Sequence, residues 1–175
     1  MFNIGDKVVY PMHGAGVIES IEEREILGLK RDYYVMNLSI GEMKVMIPLD
    51  NAFQVGLREV ISREELEKVY NILKEPYTTS TSNWNRRYSG NLEKIKTGNI
   101  LEIAEVVKNL FYREKEKGLS AGEKKMLESA KRMLLSEIIM VDDLEEKADN
   151  ELIDGLFAET LKNELFSSSE HNYRV

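Results

Sequence analysis

The 175-residue chain contains no cysteine. Disulfides, thiolate metal sites and a cysteine nucleophile are thereby excluded, and the absence suits a reducing cytosol. Histidine is nearly as scarce: His13 and His171 lie far apart in sequence, in unlike contexts. No His/Asp/Glu spacing of a metal site occurs, and neither the G-x-x-x-x-G-K-S/T nor the G-x-G-x-x-G phosphate-binding pattern is present. Nothing brings a general base, a nucleophile and an oxyanion donor together, so no enzyme and no cofactor are expected. No apolar run approaches the ~20 residues that span a bilayer. The opening MFNIGDKVVYP lacks a basic segment followed by an apolar one, so no secretory signal is expected. There is a single tryptophan.

Charge is plentiful but segregated. Lysine and arginine number 24 against 31 aspartates and glutamates, a net charge of −7. Residues 1–82 hold nine cations against thirteen carboxylates, residues 83–140 twelve against eight, and residues 141–175 three against ten. A basic middle can therefore face phosphate although the whole chain is acidic; drift of surface charge on solvated helices gives the same numbers.

Two periodicities divide the chain. Up to residue 60, short β-rich runs alternate with turn signals: Asp6–Tyr10 stopped by Pro11, a glycine turn at His13–Gly16, a run from Gly16 to Ile21, Gly28, Asp32–Leu38, Gly41, and Met43–Pro48. This pattern predicts a small antiparallel barrel or rolled sheet. After Ile61 the period becomes helical. Ser62 and Glu65 form a capping box before an apolar stripe that Pro76 ends. A polar linker, EPYTTSTS, covers residues 75–82. Asn83 caps a helix that Gly98 closes, and Asn99 caps a third with a strong stripe through Ile100, Ile103, Val107 and Leu110. Ser120 and Glu123 form a second capping box, and a last, acidic amphipathic helix runs roughly from Asp142 to Leu165. The expected fold is α+β: a small antiparallel β module over 1–60, an all-α helical domain over 61–167, and a frayed tail at 168–175. Helix carboxylates read as solvated faces.

The most informative segment is Asn83-Trp84-Asn85-Arg86-Arg87-Tyr88. A helix N-terminus with arginines holds phosphates through charge, N–H groups and dipole. A flat ring beside them can enter a base step from the minor groove. The same residues would also suit an anchor of the linker on the helical core, with exposed arginines.

Four ordered motifs then carry a family resemblance: F-x-I-G-D-K-V-V-Y-P-x-H-G-A-G at the start, I-P-x-D-N-A-x-x-V-G-L-R at 47–58, N-W-N-R-R-Y-x-x-N-L-E-K at 83–94 and L-S-A-G-E-K-K-M-L at 119–127. Over residues 2–140 the chain resembles the CarD/CdnL family of bacterial RNA-polymerase-binding transcription regulators. The resemblance implies a Tudor-like N-terminal domain that binds the polymerase β subunit. It also implies a helical domain that contacts promoter DNA at the upstream edge of the bubble and stabilises the open complex. The family's minor-groove wedge falls on Trp84, and its backbone-contacting basic residues fall on Arg86 and Arg87, with Lys94 added. A polymerase-contacting arginine falls on Arg24. Where some members have a second arginine, this chain has Met46, with Lys44 two places earlier on the same strand face. Ser89 stands where some have a lysine. No base-edge reader is evident, so slight DNA sequence preference is expected; a monomer, no membrane association and a cytoplasmic, nucleoid-associated location are expected as well. The competing expectation is a protein-only polymerase adaptor whose helices bind another protein.

Overall fold

The computed structural model describes residues 1–77 and 83–142, together with positions 155 and 158. Five strands come first: β1 (Lys7–Tyr10), β2 (Gly14–Ile26), β3 (Leu29–Leu38), β4 (Lys44–Pro48) and β5 (Arg58–Glu59). They form one antiparallel sheet in the order β4-β3-β2-β1-β5. Among the described residues four helices follow: α1 (Arg63–Lys74), α2 (Trp84–Thr97), α3 (Ile100–Lys117) and α4 (Ala121–Asp142). The β module followed by helices is the architecture expected. Beyond Asp142 the expected last helix lies outside the described residues except at positions 155 and 158, and the tail at 168–175 and the linker from 78 to 82 lie outside them too.

The helix ends are local chemistry. Ser62 Oγ accepts from the Glu65 N–H while the Glu65 carboxylate accepts from the Ser62 N–H, closing the box on α1. Asn83 accepts from the Arg86 N–H, and Asn99 from the Leu101 N–H. Gly98 ends α2 in the left-handed region, where a side chain would be strained.

One sheet face makes the β core, with Val8, Ile18, Tyr34, Met36 and Ile47 buried. Strand residues alternate between faces, so Val9 and Ala15 lie on the other face, and they are buried too. α4 covers that end: Ser136 donates to Met133 O and accepts from the Ala15 N–H at 2.8 Å. The helical core is separate, centred on α3 with Ala104, Val107 and Leu110 against Leu66, Val69, Ile95, Leu134 and Ile138.

The structure corrects three expectations of detail. The His13–Gly16 turn lies earlier, because β2 already begins at Gly14. Gly14 and Gly16 are present for close approach: a Cβ on Gly14 would sit 2.8 Å from Ser136 Oγ, and one on Gly16 would sit 2.1 Å from Asn37 O. The strands at Gly16–Ile21 and Asp32–Leu38 are much longer and join in a hairpin through Leu27 and Gly28, both left-handed. Helix carboxylates are not all solvated. Glu137 is 1% exposed. Arg58 holds it bidentately at 2.6 and 2.9 Å, and the Ile61 N–H donates to it at 2.9 Å. Arg58 also donates to Gly98 O, which ties β5, α2 and α4 together. Lys7 Nζ donates to Met140 O near the far end of α4. The β module and helices are thus joined by charge-assisted bonds as well as packing.

Candidate functional site

Trp84 is the first residue of α2 and is 45% exposed. One face of the indole stacks on Tyr88, one turn along the helix, with centroids 5.2 Å apart. Its Nε1–H donates to Ser120 Oγ at 3.1 Å. The ring is therefore surface-borne but held at two points. Arg86 is exposed, and its N–H is taken by the Asn83 cap.

Arg87 turns the other way. Its side chain is 13% exposed and reaches Glu123 at 3.4 Å. Glu123 is itself 2% exposed, at the third position of α4. Burial pushes its carboxyl up. The Ser120 N–H and hydroxyl, then Arg87, outweigh that and hold it below the usual carboxylate range. Arg113 lies 3.9 Å from the same carboxylate. Lys94 is engaged too, with Glu105 on α3 at 2.6 Å. Of the four residues expected at DNA, the structure brings Trp84 and Arg86 to the surface at one helix end. It holds Arg87 and Lys94 in ion pairs. Ser120, Glu123 and Tyr88 belong to the same cluster, and sequence reasoning missed them as site residues. The S-A-G-E box was visible, but a capping box signals a helix start and carries no sign of what else its serine holds.

The second candidate surface is on the sheet. By register, Val35 on β3 lies between Met46 and Ser20, Tyr33 lies between Pro48 and Glu22, and Arg31 stands opposite Arg24. Directly opposed residues share a face, so Arg24, Met46 and Lys44 lie on one face of β2-β3-β4. All three are exposed. Lys44 pairs with Glu19 at 2.6 Å, which raises its pKa above the usual lysine value. Glu22 is held down by the Ser20 hydroxyl and then by Arg24. β4 pairs only with β3, so its outer edge is open among the described residues. Among the described residues no group of His, Asp and Glu side chains could hold a metal, and no helix is long and apolar enough to cross a membrane.

Two family models match the chain. One, described as the CarD-like/TRCF RID domain, covers residues 2–61, and the other, CarD, C-terminal domain, covers residues 68–154. The curated protein YdeB of Bacillus subtilis (strain 168), named as a candidate transcription factor, is 46% identical over 147 residues, spanning 84% of this chain and 96% of that protein. The solution NMR structure of the 72-residue N-terminal domain of Myxococcus xanthus CarD is 29% identical, with a TM-score of 0.30, over 34% of this chain and 79% of that one.

Proposed function

The chain belongs to the CarD family of transcription factors, and from that premise we propose that it bridges the RNA polymerase β subunit and promoter DNA, stabilising the open complex. Residues 1–60 are the polymerase module and residues 61–167 the DNA module. The observation that carries the reading is Trp84: a half-exposed ring at a helix N-terminus, beside an outward arginine and braced from behind.

The polymerase contact is the face bearing Arg24, Lys44 and Met46, next to the open edge of β4. A free edge accepts a further strand, and neighbouring side chains set specificity. On the DNA side, Trp84 enters a base step from the minor groove, where unstacking costs a few kcal/mol that already melted DNA does not oppose. Arg86 and the α2 N-terminus meet phosphate. Arg87 and Lys94 reach phosphate only by leaving Glu123 and Glu105, so their share of the salt dependence is small. Free DNA affinity is low, and docking on polymerase supplies an effective concentration on the order of millimolar. Binding open complexes better than closed ones shifts that equilibrium by the difference in affinity. No base-edge reader is evident, so sequence preference is slight. The protein is a cytoplasmic, nucleoid-associated monomer in this reading.

Open-complex lifetime on a promoter tests it, measured with polymerase alone, with the protein, and with Trp84→Ala. The native chain lengthens the lifetime, and Trp84→Ala loses most of that gain while still binding polymerase. If neither changes the lifetime despite binding, the DNA role fails and a protein-only adaptor is the better account.

A further inference from the structure

We infer that the start of α4 with the two residues before it, Leu119 to Glu123, is a cradle that fixes the attitude of the Trp84 ring, with Ser120 and Glu123 as positioning residues for the DNA contact proposed above. The inference rests on that reading of Trp84.

A serine hydroxyl has one proton and two lone pairs. The Ser120 hydroxyl lies 3.0 Å from Glu123 Oε2, and an ionised carboxylate can only accept, so the proton points there. The lone pairs then face two donors, the Glu123 N–H at 3.3 Å and Trp84 Nε1–H at 3.1 Å. The carboxylate thus orients Ser120 as an acceptor for the indole. Its depressed pKa keeps it ionised at neutral pH. Its other oxygen faces Arg87, which is on α2, three residues beyond Trp84. One buried carboxylate therefore draws on the indole through Ser120 and on the helix that carries it through Arg87. Gly122 completes the seat. A Cβ there would lie 3.3 Å from Tyr88 Cε2, so the glycine lets the Tyr88 ring lie close against α4, and Trp84 stacks on Tyr88. A wedge held in one attitude before it meets DNA loses less freedom on insertion than a swinging one.

Trp84 is the only tryptophan, so its fluorescence reports on the ring alone. The test is time-resolved anisotropy of the free protein, alongside open-complex lifetime. Ser120→Ala removes the acceptor; Ser120→Thr keeps it. Ser62→Ala removes an equivalent capping serine from α1 and so controls for mere helix fraying. In Ser120→Ala the fast local component of the decay grows roughly twofold or more, as expected for a released surface side chain. It stays native in Ser120→Thr and Ser62→Ala. The open-complex lifetime with Ser120→Ala falls toward the Trp84→Ala value, and Ser120→Thr restores it. Native anisotropy in Ser120→Ala overturns the cradle, whatever the lifetimes. So does a loosened ring with an undiminished lifetime, where Trp84→Ala shortens it. If Trp84→Ala leaves the lifetime unchanged, the wedge reading fails instead, and the anisotropy still decides whether the cradle holds the ring.

Discussion

Gly16 and Gly90 carry the same side chain for opposite reasons. A Cβ on Gly16 would fall 2.1 Å from the Asn37 carbonyl oxygen, a backbone atom that moves only if β3 moves. Gly90 lies on the exposed part of α2 with nothing within 4 Å. Gly16→Ala is expected to cost about 3 kcal/mol or more, lowering Tm by roughly 10 °C. Gly90→Ala is expected to stabilise by up to about 1 kcal/mol. Thermal melts of the two variants followed by circular dichroism check both signs together. The contrast also marks what was legible residue by residue. Caps at Ser62, Asn83 and Asn99 were readable because donor and acceptor are within three residues of each other. Gly14 and Gly16 were read as turn formers because their constraint comes from Ser136 and Asn37, which sequence proximity does not reveal. Arg87 was read as outward for the same reason, its partner Glu123 lying 36 residues away.

Among the elements, the β2–β3 hairpin departs furthest from a period-two pattern. From Glu23 to Asp32 every residue is exposed, so no alternation betrays the strands. The backbone ladder holds them instead, in register from Ser20–Val35 to Ile26–Leu29, and exposed charges add little. Lys30 reaches Glu23 at 3.6 Å. The like-charged Arg24 and Arg31 stand directly opposed, each with its own carboxylate, Glu22 and Asp50. At the tip Leu27 is 97% exposed with φ 53°, and Gly28 follows at φ 76°. Two left-handed residues are what a tight hairpin turn of this twist needs, and asparagine meets that need better than leucine. Leu27→Asn is expected to stabilise by about 1 kcal/mol, a rise in Tm of roughly 2–4 °C, with the native spectrum kept. An unchanged or lower Tm would mean that Leu27 makes a contact its exposure does not suggest. The helices were more legible because α1 and α3 bury stripes of helical period. α4 is the exception: from Met133 to Ile139 it is buried all round, packed on α3 on one side and on the sheet on the other.

That double burial sets the behaviour of the whole molecule. Glu137 sits where α4 meets β5 and the α2 C-terminus, and Arg58 and the Ile61 N–H satisfy it. Glu137→Gln removes the charge and leaves Arg58 partnered by carbonyls, at an expected cost of about 2–3 kcal/mol. Denaturant unfolding measures it, and a loss below 0.5 kcal/mol would show the ion pair to be dispensable. Sequence reading found the two modules and missed the junction, since Ser136 and Glu137 look like polar interruptions until the sheet is laid over them. The junction also has a consequence for how the protein is made. Arg58 is synthesised 79 residues before Glu137. At about 5–20 residues per second that delay is roughly 4–16 s. Ala15, whose N–H awaits Ser136, emerges earlier still, 121 residues ahead of its partner. The sheet that is born first therefore waits on the ribosome with one face wet, and only the last described helix to be translated closes it.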